Sequence, residues 1–349
     1  MWAKAISKGA AVYMWTGFSG GPLRKLAIWL LVLGAVAATY NRAGHAQQRN
    51  VPAAWRARSA ETDSRIVVNT DLVTLKVAVT DRRGKPIKGL DKTAFTVYDN
   101  KVPQQISYFS GDDSPASISI VFDTSGSMSG AKIARARQAL ERFIETSRSD
   151  DEFFLIDFNS RATLLLDRNR DSDAVLDKFT YVEPHGQTAL YDAVYLGIEK
   201  AERGTRPRKA VLLITDGEDN NSRFTLGEVR QRLKESDVTV YAIGILGPQY
   251  PAALRGNLSG RSVLEQLTSA SGGRAYFPDN STEMSEAFEN IALDLRHQYV
   301  IGYRPTNFAA DGKWRRVKVT LTPPEGSPPL VVRTRGGYYA APSAAQPAQ

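Results

Sequence analysis

The protein has 349 residues, 42% of them hydrophobic and 23% charged, so the chain can bury a sizeable core and wholesale disorder is excluded. It contains no cysteine and only three histidines, which excludes thiol catalysis, disulfides, cysteine-ligated metal clusters and histidine-rich metal sites. The net charge is +8, but residues 1–46 hold five basic residues and no acid. The remaining chain therefore carries +3 (8 minus 5) and lacks the long basic stretch that nucleic-acid binding requires.

The N-terminal segment has the features of a secretory leader. The apolar run Leu26–Ala38 follows a basic flank and precedes the small residues Gly44 and Ala46. This arrangement is typical of a signal peptide, so residues 1–46 are predicted to be removed by cleavage after Ala46 and the protein is expected in the periplasm, the cell envelope or the medium. The alternative is an uncleaved anchor in the inner membrane formed by residues 26–40, although the apolar run is shorter than the ~20 residues that span a bilayer.

The next part of the chain is predicted to be a linker followed by β-strands. Residues 47–64 are polar with scattered Ala and Arg, as in a flexible linker. Residues 65–112 show the period-two alternation of half-buried strands. That alternation is carried by Val73, Leu75, Val77 and Val79, and then by Phe95 with Val97 and Ile106 with Tyr108.

Between residues 117 and 297, strands alternate with helices. Ile118–Phe122 is a β-rich run without clean alternation, as expected of a strand buried on both faces. Such an order predicts a doubly wound, mostly parallel, Rossmann-like sheet with helices on both faces. The further predicted elements are a helix through Ile133 and Ile144, strand Phe153–Phe158 with a hairpin partner at Thr163–Leu166, helix Leu190–Glu202, strand Ala210–Thr215, helix Leu226–Glu235, strand Val238–Ile245, helix Val263–Ala270, strand Arg274–Phe277 and helix Thr282–Arg296.

Period-two alternation returns in residues 298–340, and residues 341–349 form a tail of Ala, Pro, Ser and Gln that is predicted to be disordered. The first strand and the last helix of the α/β segment both meet the end of the sheet opposite its ligand edge, so the two β segments emerge on the same side. Each segment alone has about three short strands, which is marginal. We therefore expect residues 65–112 and 298–340 to fold together as an all-β, immunoglobulin-like sandwich.

Oxygen-bearing side chains are placed at the predicted ligand edge of the α/β sheet. They are Asp123, Ser125 and Ser127 after the first buried strand, Thr188 before a helix, and Asp216 after the next strand. Carboxyl ends of parallel strands meet at one edge, and hydroxyls with carboxylates suit a hard divalent cation, Mg²⁺ first, with Mn²⁺ or Ca²⁺ as alternatives. The competing interpretations are that the hydroxyls are helix N-caps and Asp216 lies in a plain turn, or that a metal is present but only structural.

Four further polar residues lie near this set. His185, Glu218 and Asp219 are candidates for the rim of a ligand site, with ordinary solvated loop positions as the alternative. Asp157 interrupts an otherwise apolar strand. It is interpreted as paired with an arginine or exposed at the sheet edge, with a position beside the metal ligands as the alternative.

Residues 117–297 resemble a von Willebrand factor type A domain, and the oxygen set resembles the metal-ion-dependent adhesion site of that family. All five motif positions match, in the family's order: Asp123, Ser125, Ser127, Thr188 and Asp216. The resemblance implies that the two serines bind the metal directly, that Thr188 joins them in the ligand-ready form, and that the aspartates act largely through water. The flanks are similar to bacterial secreted proteins with a VWFA-related domain, through Phe95–Asp99 and Gly336–Tyr339.

These observations predict an exported module that binds a protein partner through a divalent cation. A partly neutralised cation with an open position would take an Asp or Glu carboxylate of the partner. No enzyme is expected, because the P-loop, H-E-x-x-H and G-x-S-x-G motifs are missing from the sequence. No nucleic acid is expected, and a membrane is contacted only through an uncleaved leader. The alternative is a structural or assembly subunit of a cell-envelope complex in which the metal is incidental.

Overall fold

The computed structural model describes residues 72–180, 182–246, 260–307, 309, 311–323, 326 and 329–340. The predicted signal peptide (1–46), the linker (47–64), the start of the first β segment and the tail (341–349) lie outside the described residues. Within the described part of the chain, no helix is both long enough and apolar enough to cross a membrane.

The first β segment contains four strands. They are β1 (Val73–Thr80), β2 (Phe95–Asp99), β3 (Val102–Gln104) and β4 (Ile106–Ser110). Buried and more exposed residues alternate along β2 because successive side chains in a strand point to opposite faces of the sheet.

Strands and helices alternate in the middle segment, as the sequence predicts. The elements are β5 (Ala116–Asp123), α1 (Ala131–Thr146), β6 (Glu152–Phe158), β7 (Ala162–Asn169), α2 (Ser172–Thr180), α3 (Leu190–Arg203), β8 (Arg208–Thr215), α4 (Leu226–Glu235), β9 (Thr239–Gly244), α5 (Gly260–Ser271), β10 (Ala275–Tyr276) and α6 (Ser281–Arg296). They form one six-stranded sheet in the order β10-β9-β8-β5-β6-β7, parallel except for the edge strand β7. The prediction of a mostly parallel sheet is confirmed.

Helices cover both faces of this sheet, which explains why β5 shows no alternation. Ile118, Ile120 and Phe122 pack in one core cluster with side chains of α1, α2 and α6. Val121 packs in the other cluster with side chains of α3, α4 and α5. Every residue of β5 is buried. Strand β5 lies between β6 and β8, so the strand order reverses beside it, and open α/β sheets bind ligands at such a point.

The described part of the last segment adds four strands, three of which pair with strands of the first segment. They are β11 (Tyr299–Tyr303), β12 (Trp314–Leu321), β13 (Val331–Arg333) and β14 (Gly337–Tyr339). One four-stranded sheet has the order β13-β1-β11-β4 and the other has the order β14-β12-β2-β3. Buried residues of both sheets form a single hydrophobic cluster. The two flanks thus share one core, and from here on they are called the β domain.

Helix α2 is the largest difference from the elements expected from the sequence. It has only nine residues, and among them just Val175 and Phe179 are buried members of the core, which is too few to establish a helical period. The available signal is Asp171, whose Oδ1 accepts the backbone N–H groups of Asp173 and Ala174 as an N-cap does. The short edge strands β3 and β14 are also additions to the predicted set.

A partly buried lysine at the contact between the β domain and the α/β sheet gives a pH dependence. Lys76 of β1 donates to the Asp237 carbonyl (2.8 Å), and burial lowers its pKa from 10.5 to about 8. Between these values the unfolded chain binds more protons than the folded one, so the free energy of unfolding rises with pH. Between pH 8 and pH 9.5 we expect the free energy of unfolding, measured with urea, to increase by up to about 2 kcal/mol. The Lys76→Met variant should not show this increase, whereas the control variant Lys318→Met should show it in full. A flat profile in the unmodified protein would contradict this.

Candidate functional site

Asp123 ends β5 and is fully buried at the carboxyl edge of the sheet. Its Oδ1 accepts the backbone N–H of Ser125 (2.9 Å), and its Oδ2 accepts the hydroxyl of Thr215, which ends the neighbouring strand β8. Burial raises the pKa of this carboxyl to about 6, and the nearby negative charge of Asp216 acts in the same direction. The site therefore holds a carboxylate in an environment that favours a compensating cation.

Ser125 and Ser127 lie close together, and neither side chain makes a helix-capping hydrogen bond. Their hydroxyl oxygens are 3.0 Å apart around a single 3-10 turn, Gly126–Met128. Helix α1 begins only at Ala131, its N-cap is Gly130, and no side chain caps it. Neither serine is therefore the N-cap of an α-helix, and the N-cap interpretation of the two serines is wrong.

Thr188 is buried and joins two loops of the site. Its N–H donates to Asn220 Oδ1 (2.8 Å), and its carbonyl accepts the N–H groups of Asn220 and Asn221, both at 3.0 Å. Helix α3 begins at Leu190 with Ala189 as its N-cap, so Thr188 is not an N-cap either. Its position is fixed by the loop that follows β8.

Two backbone hydrogen bonds connect the loop before Thr188 to the loop after β5. Gly126 donates to the Gly186 carbonyl (3.1 Å), and His185 donates to the Thr124 carbonyl (2.8 Å). The loops 124–128, 185–189 and 216–221 are therefore held together at one edge of the sheet. Residues that are up to 93 positions apart in the sequence meet there, since Asp123 and Asp216 follow neighbouring strands.

Asp216 is buried directly after β8 and carries an ion pair. The Lys132 ammonium at the start of α1 donates to Asp216 Oδ2 (2.9 Å). The next residue, Gly217, has φ +84°, and a Cβ there would lie 2.5 Å from the Gly260 carbonyl oxygen. A glycine is required at this position, and it lets α5 approach the loop that presents Asp216.

The three rim candidates differ in what their side chains contact. His185 is exposed, with Nδ1 2.8 Å from the Glu183 carbonyl and Nε2 3.3 Å from Asn159 Nδ2. Glu218 is exposed beside Asp216. Asp219 Oδ1 accepts the N–H of Leu190 (2.9 Å) at the start of α3 and the hydroxyl of Ser222. Asp219 therefore caps α3 by accepting N–H groups of its first turn.

Asp157 of β6 faces the same region. Its carboxylate is half-buried, burial raises its pKa, and the charge of His185 lowers it. The nearby Thr124 hydroxyl donates to the Phe158 carbonyl (3.1 Å), at the end of the same strand. Among the described residues, no arginine forms an ion pair with Asp157 within 4 Å, so the structure places Asp157 beside the site loops instead of in the expected arginine pair.

A profile of the von Willebrand factor type A domain matches residues 117–290, which include all three site loops. The chain is a von Willebrand factor type A domain protein. Domains of this family are generally protein-interaction or adhesion modules.

Relatives of this von Willebrand factor type A protein share the domain and not the whole chain. The Synechocystis sp. protein sll0103 is 27% identical over 184 residues, which are 51% of this chain and 41% of that protein. Inter-alpha-trypsin inhibitor heavy chain H4 of Sus scrofa is 24% identical over 207 residues, 55% of this chain and 22% of that protein. The chain thus covers less than half of the length of either relative.

Solved von Willebrand factor type A structures match with low sequence identity. The domain from Catenulispora acidiphila superposes with a TM-score of 0.46 and 14% identity, over 78% of this chain and 74% of that one. The domain of the type V pili tip protein Mfa5 from Porphyromonas gingivalis gives a TM-score of 0.43 and 15% identity, over 52% and 94%.

The donor set of this von Willebrand factor type A domain suits a hard cation. In the described part of the chain, no group of three or more His, Cys, Asp or Glu side chains is placed to hold a metal ion. The site edge instead combines two buried carboxylates with hydroxyls, which are the oxygen ligands that Mg²⁺ accepts. Because the Asp123 pKa is raised by burial and by Asp216, a positive charge at this edge would be stabilising.

Proposed function

We propose that this chain is an exported, divalent-cation-dependent module that captures a protein partner. The observation that carries the proposal is that two buried carboxylates, Asp123 and Asp216, lie at one edge of the sheet, on loops hydrogen-bonded to the loop of Thr188. Lys132 balances the charge of Asp216, whereas no ion pair among the described residues balances Asp123, so a further positive charge at this edge is favoured.

The proposed ligand set is Asp123, Ser125, Ser127, Thr188 and Asp216, with Mg²⁺ as the preferred ion and Mn²⁺ or Ca²⁺ as alternatives. When bound, the cation supplies a coordination position open to an anionic oxygen. We propose that an Asp or Glu carboxylate of the partner takes that position. Ser127 and Gly126 are exposed, which gives the partner access to the hydroxyl side of the site.

The rest of the proposal concerns the compartment, the flanks and the chemistry. The basic and apolar leader supports export to the periplasm, the envelope or the medium. The shared hydrophobic cluster of the two four-stranded sheets supports an immunoglobulin-like sandwich. We assign binding rather than catalysis, because the sequence lacks the P-loop, H-E-x-x-H and G-x-S-x-G motifs.

Replacing Asp123 by alanine is expected to abolish cation binding. The change removes a proposed ligand and the acceptor that fixes the Ser125 backbone, so Mn²⁺ affinity should fall more than about 100-fold in calorimetry. Thr188→Ala should weaken binding by about tenfold, and the exposed Asp177→Ala on α2 should leave it unchanged. Equal Mn²⁺ binding by the unmodified protein and by Asp123→Ala would show that the site assignment is wrong.

The same variant tests partner capture. Envelope extract from the source organism is passed over the immobilised protein with Mg²⁺ or with EDTA, and over the Asp123→Ala protein with Mg²⁺. A partner held through the cation is retained only by the unmodified protein in Mg²⁺. If instead the same partner is retained under all three conditions, the assembly-subunit alternative, in which the metal is incidental, is favoured.

A further inference from the structure

Among the residues that the structure describes, the Lys132 ion pair is the one contact that places a protein cation on a proposed metal ligand. Lys132 Nζ lies 2.9 Å from Asp216 Oδ2. The Asp216 side chain is 6% exposed and the Lys132 side chain 21% exposed. The carboxylate is thus enclosed, whereas the ammonium is partly in contact with solvent.

The position of Lys132 in α1 is unfavourable without this contact. It is the second residue of the helix, and the first turn contains no acidic residue. A positive side chain at a helix N-terminus is repelled by the partial positive charge of the unpaired backbone N–H groups. The charge of Asp216, which belongs to the loop after β8, offsets that repulsion. The ion pair therefore links the start of α1 to the loop that follows β8.

A divalent cation at this edge and the Lys132 ammonium require the same carboxylate. Both carry positive charge, so they repel each other when they share Asp216, and the repulsion is strong where water is excluded. Lys132 has a flexible four-carbon stem and an exposed fraction that gives it a path into solvent. Entry of the cation therefore requires the Lys132–Asp216 pair to break.

We infer that Lys132 is a built-in competing counter-ion that sets the cation affinity of the site; this inference rests on the proposed function. In metal-free protein the ammonium holds Asp216 in place and neutralises one of the two buried carboxylates. On cation binding it leaves for solvent, and the free energy of the broken pair is subtracted from the affinity. The site can then exchange its cation without an unpaired charge remaining at Asp216.

The test compares Lys132→Met with Lys132→Arg, using Mn²⁺ as the probe. Calorimetry should show that Lys132→Met binds Mn²⁺ about tenfold more tightly, a factor that corresponds to about 1.4 kcal/mol. Lys132→Arg keeps the charge and should bind as the unmodified protein does. Arg142→Met, which removes a charge from the exposed side of the same helix, should also leave the affinity unchanged.

Thermal unfolding gives a second readout that does not depend on the calorimetric affinity. Without metal, Lys132→Met should melt at a lower temperature than the unmodified protein, because Asp216 loses its counter-charge. In saturating Mn²⁺ the difference should disappear or reverse.

The outcomes separate this inference from the proposed function. If the unmodified protein binds Mn²⁺ and Lys132→Met binds equally or more weakly, the counter-ion role is wrong and the metal site stands. The same conclusion follows if Lys132→Arg gains as much affinity as Lys132→Met. If neither the unmodified protein nor Lys132→Met binds Mn²⁺, the proposed function itself is wrong.

Discussion

Replacing Arg333 by methionine is expected to lower the free energy of unfolding by about 3–5 kcal/mol. Arg333 of β13 donates to Asp294 Oδ2 (2.8 Å), and Asp294, on α6, is 1% exposed. Without the guanidinium, a fully buried carboxylate remains uncompensated. Burial raises the pKa of the adjacent Tyr241 and Tyr276 phenols, so both hydroxyls stay neutral and cannot replace the lost positive charge.

The effect of Arg333→Met is measured by urea unfolding. A matched control is Arg203→Met, which removes an arginine from an exposed pair with Glu199 and should change stability by less than about 1 kcal/mol. The double variant Asp294→Asn with Arg333→Met should recover part of the loss, because it removes the buried charge as well. If Arg333→Met is as stable as the unmodified protein, the buried ion pair between α6 and the β domain does not contribute to the free energy of unfolding.

The second large effect concerns the interior of the β domain. Asp99 of β2 is fully buried, and its Oδ2 accepts the hydroxyls of Tyr303 (3.0 Å) and Tyr338 (2.8 Å). Burial raises the pKa of both tyrosines, which therefore remain donors over the accessible pH range. Asp99→Ala leaves two buried hydroxyls without an acceptor and should cost about 2–4 kcal/mol in urea unfolding.

Controls for Asp99 separate the hydrogen bonds from the loss of a charge. Tyr303→Phe and Tyr338→Phe each remove one donor and should cost about 1 kcal/mol. The exposed Asp177→Ala should be neutral within about 0.5 kcal/mol. Because Asp99 belongs to the first flank and both tyrosines to the second, a neutral Asp99→Ala would mean that these contacts do not stabilise the joint core.

The sequence predicted the α/β sheet well because burial on both faces leaves a strong pattern. The residues that recur at helical spacing in α1 are the ones that pack on β5, and Asp123 and Asp216 do lie at one sheet edge. The strands of the flanks could also be predicted, because one face of each strand is buried and hydrophobic residues therefore alternate with polar ones. These features depend on local periodicity and chain order, which the sequence contains directly.

Contacts between distant segments were not predictable in the same way. In the sequence, Lys132 has the pattern of an ordinary exposed helix residue. In the structure, its ammonium lies 2.9 Å from Oδ2 of Asp216, which follows β8. Asp219 reads as a solvated loop residue, yet it caps a helix that starts 29 positions earlier. Serine followed by a helical pattern is the usual sign of an N-cap, but here Ser127 lies inside a 3-10 turn and α1 begins only at Ala131.

The covalent connections between the two parts of the chain have a mechanical consequence. Strand β4 ends at Ser110 before β5 begins at Ala116, and α6 ends at Arg296 before β11 begins at Tyr299. Ser110 is paired with Val300, so both connections leave the β domain side by side through neighbouring strands. A single connection would let the β domain rotate freely relative to the α/β sheet, whereas two adjacent connections restrict that rotation to one axis. If the site captures a partner as proposed, tension between that partner and the β domain would be shared by β5 and α6. It would pull β4 and β11 in the same direction instead of shearing the hydrogen bonds between them.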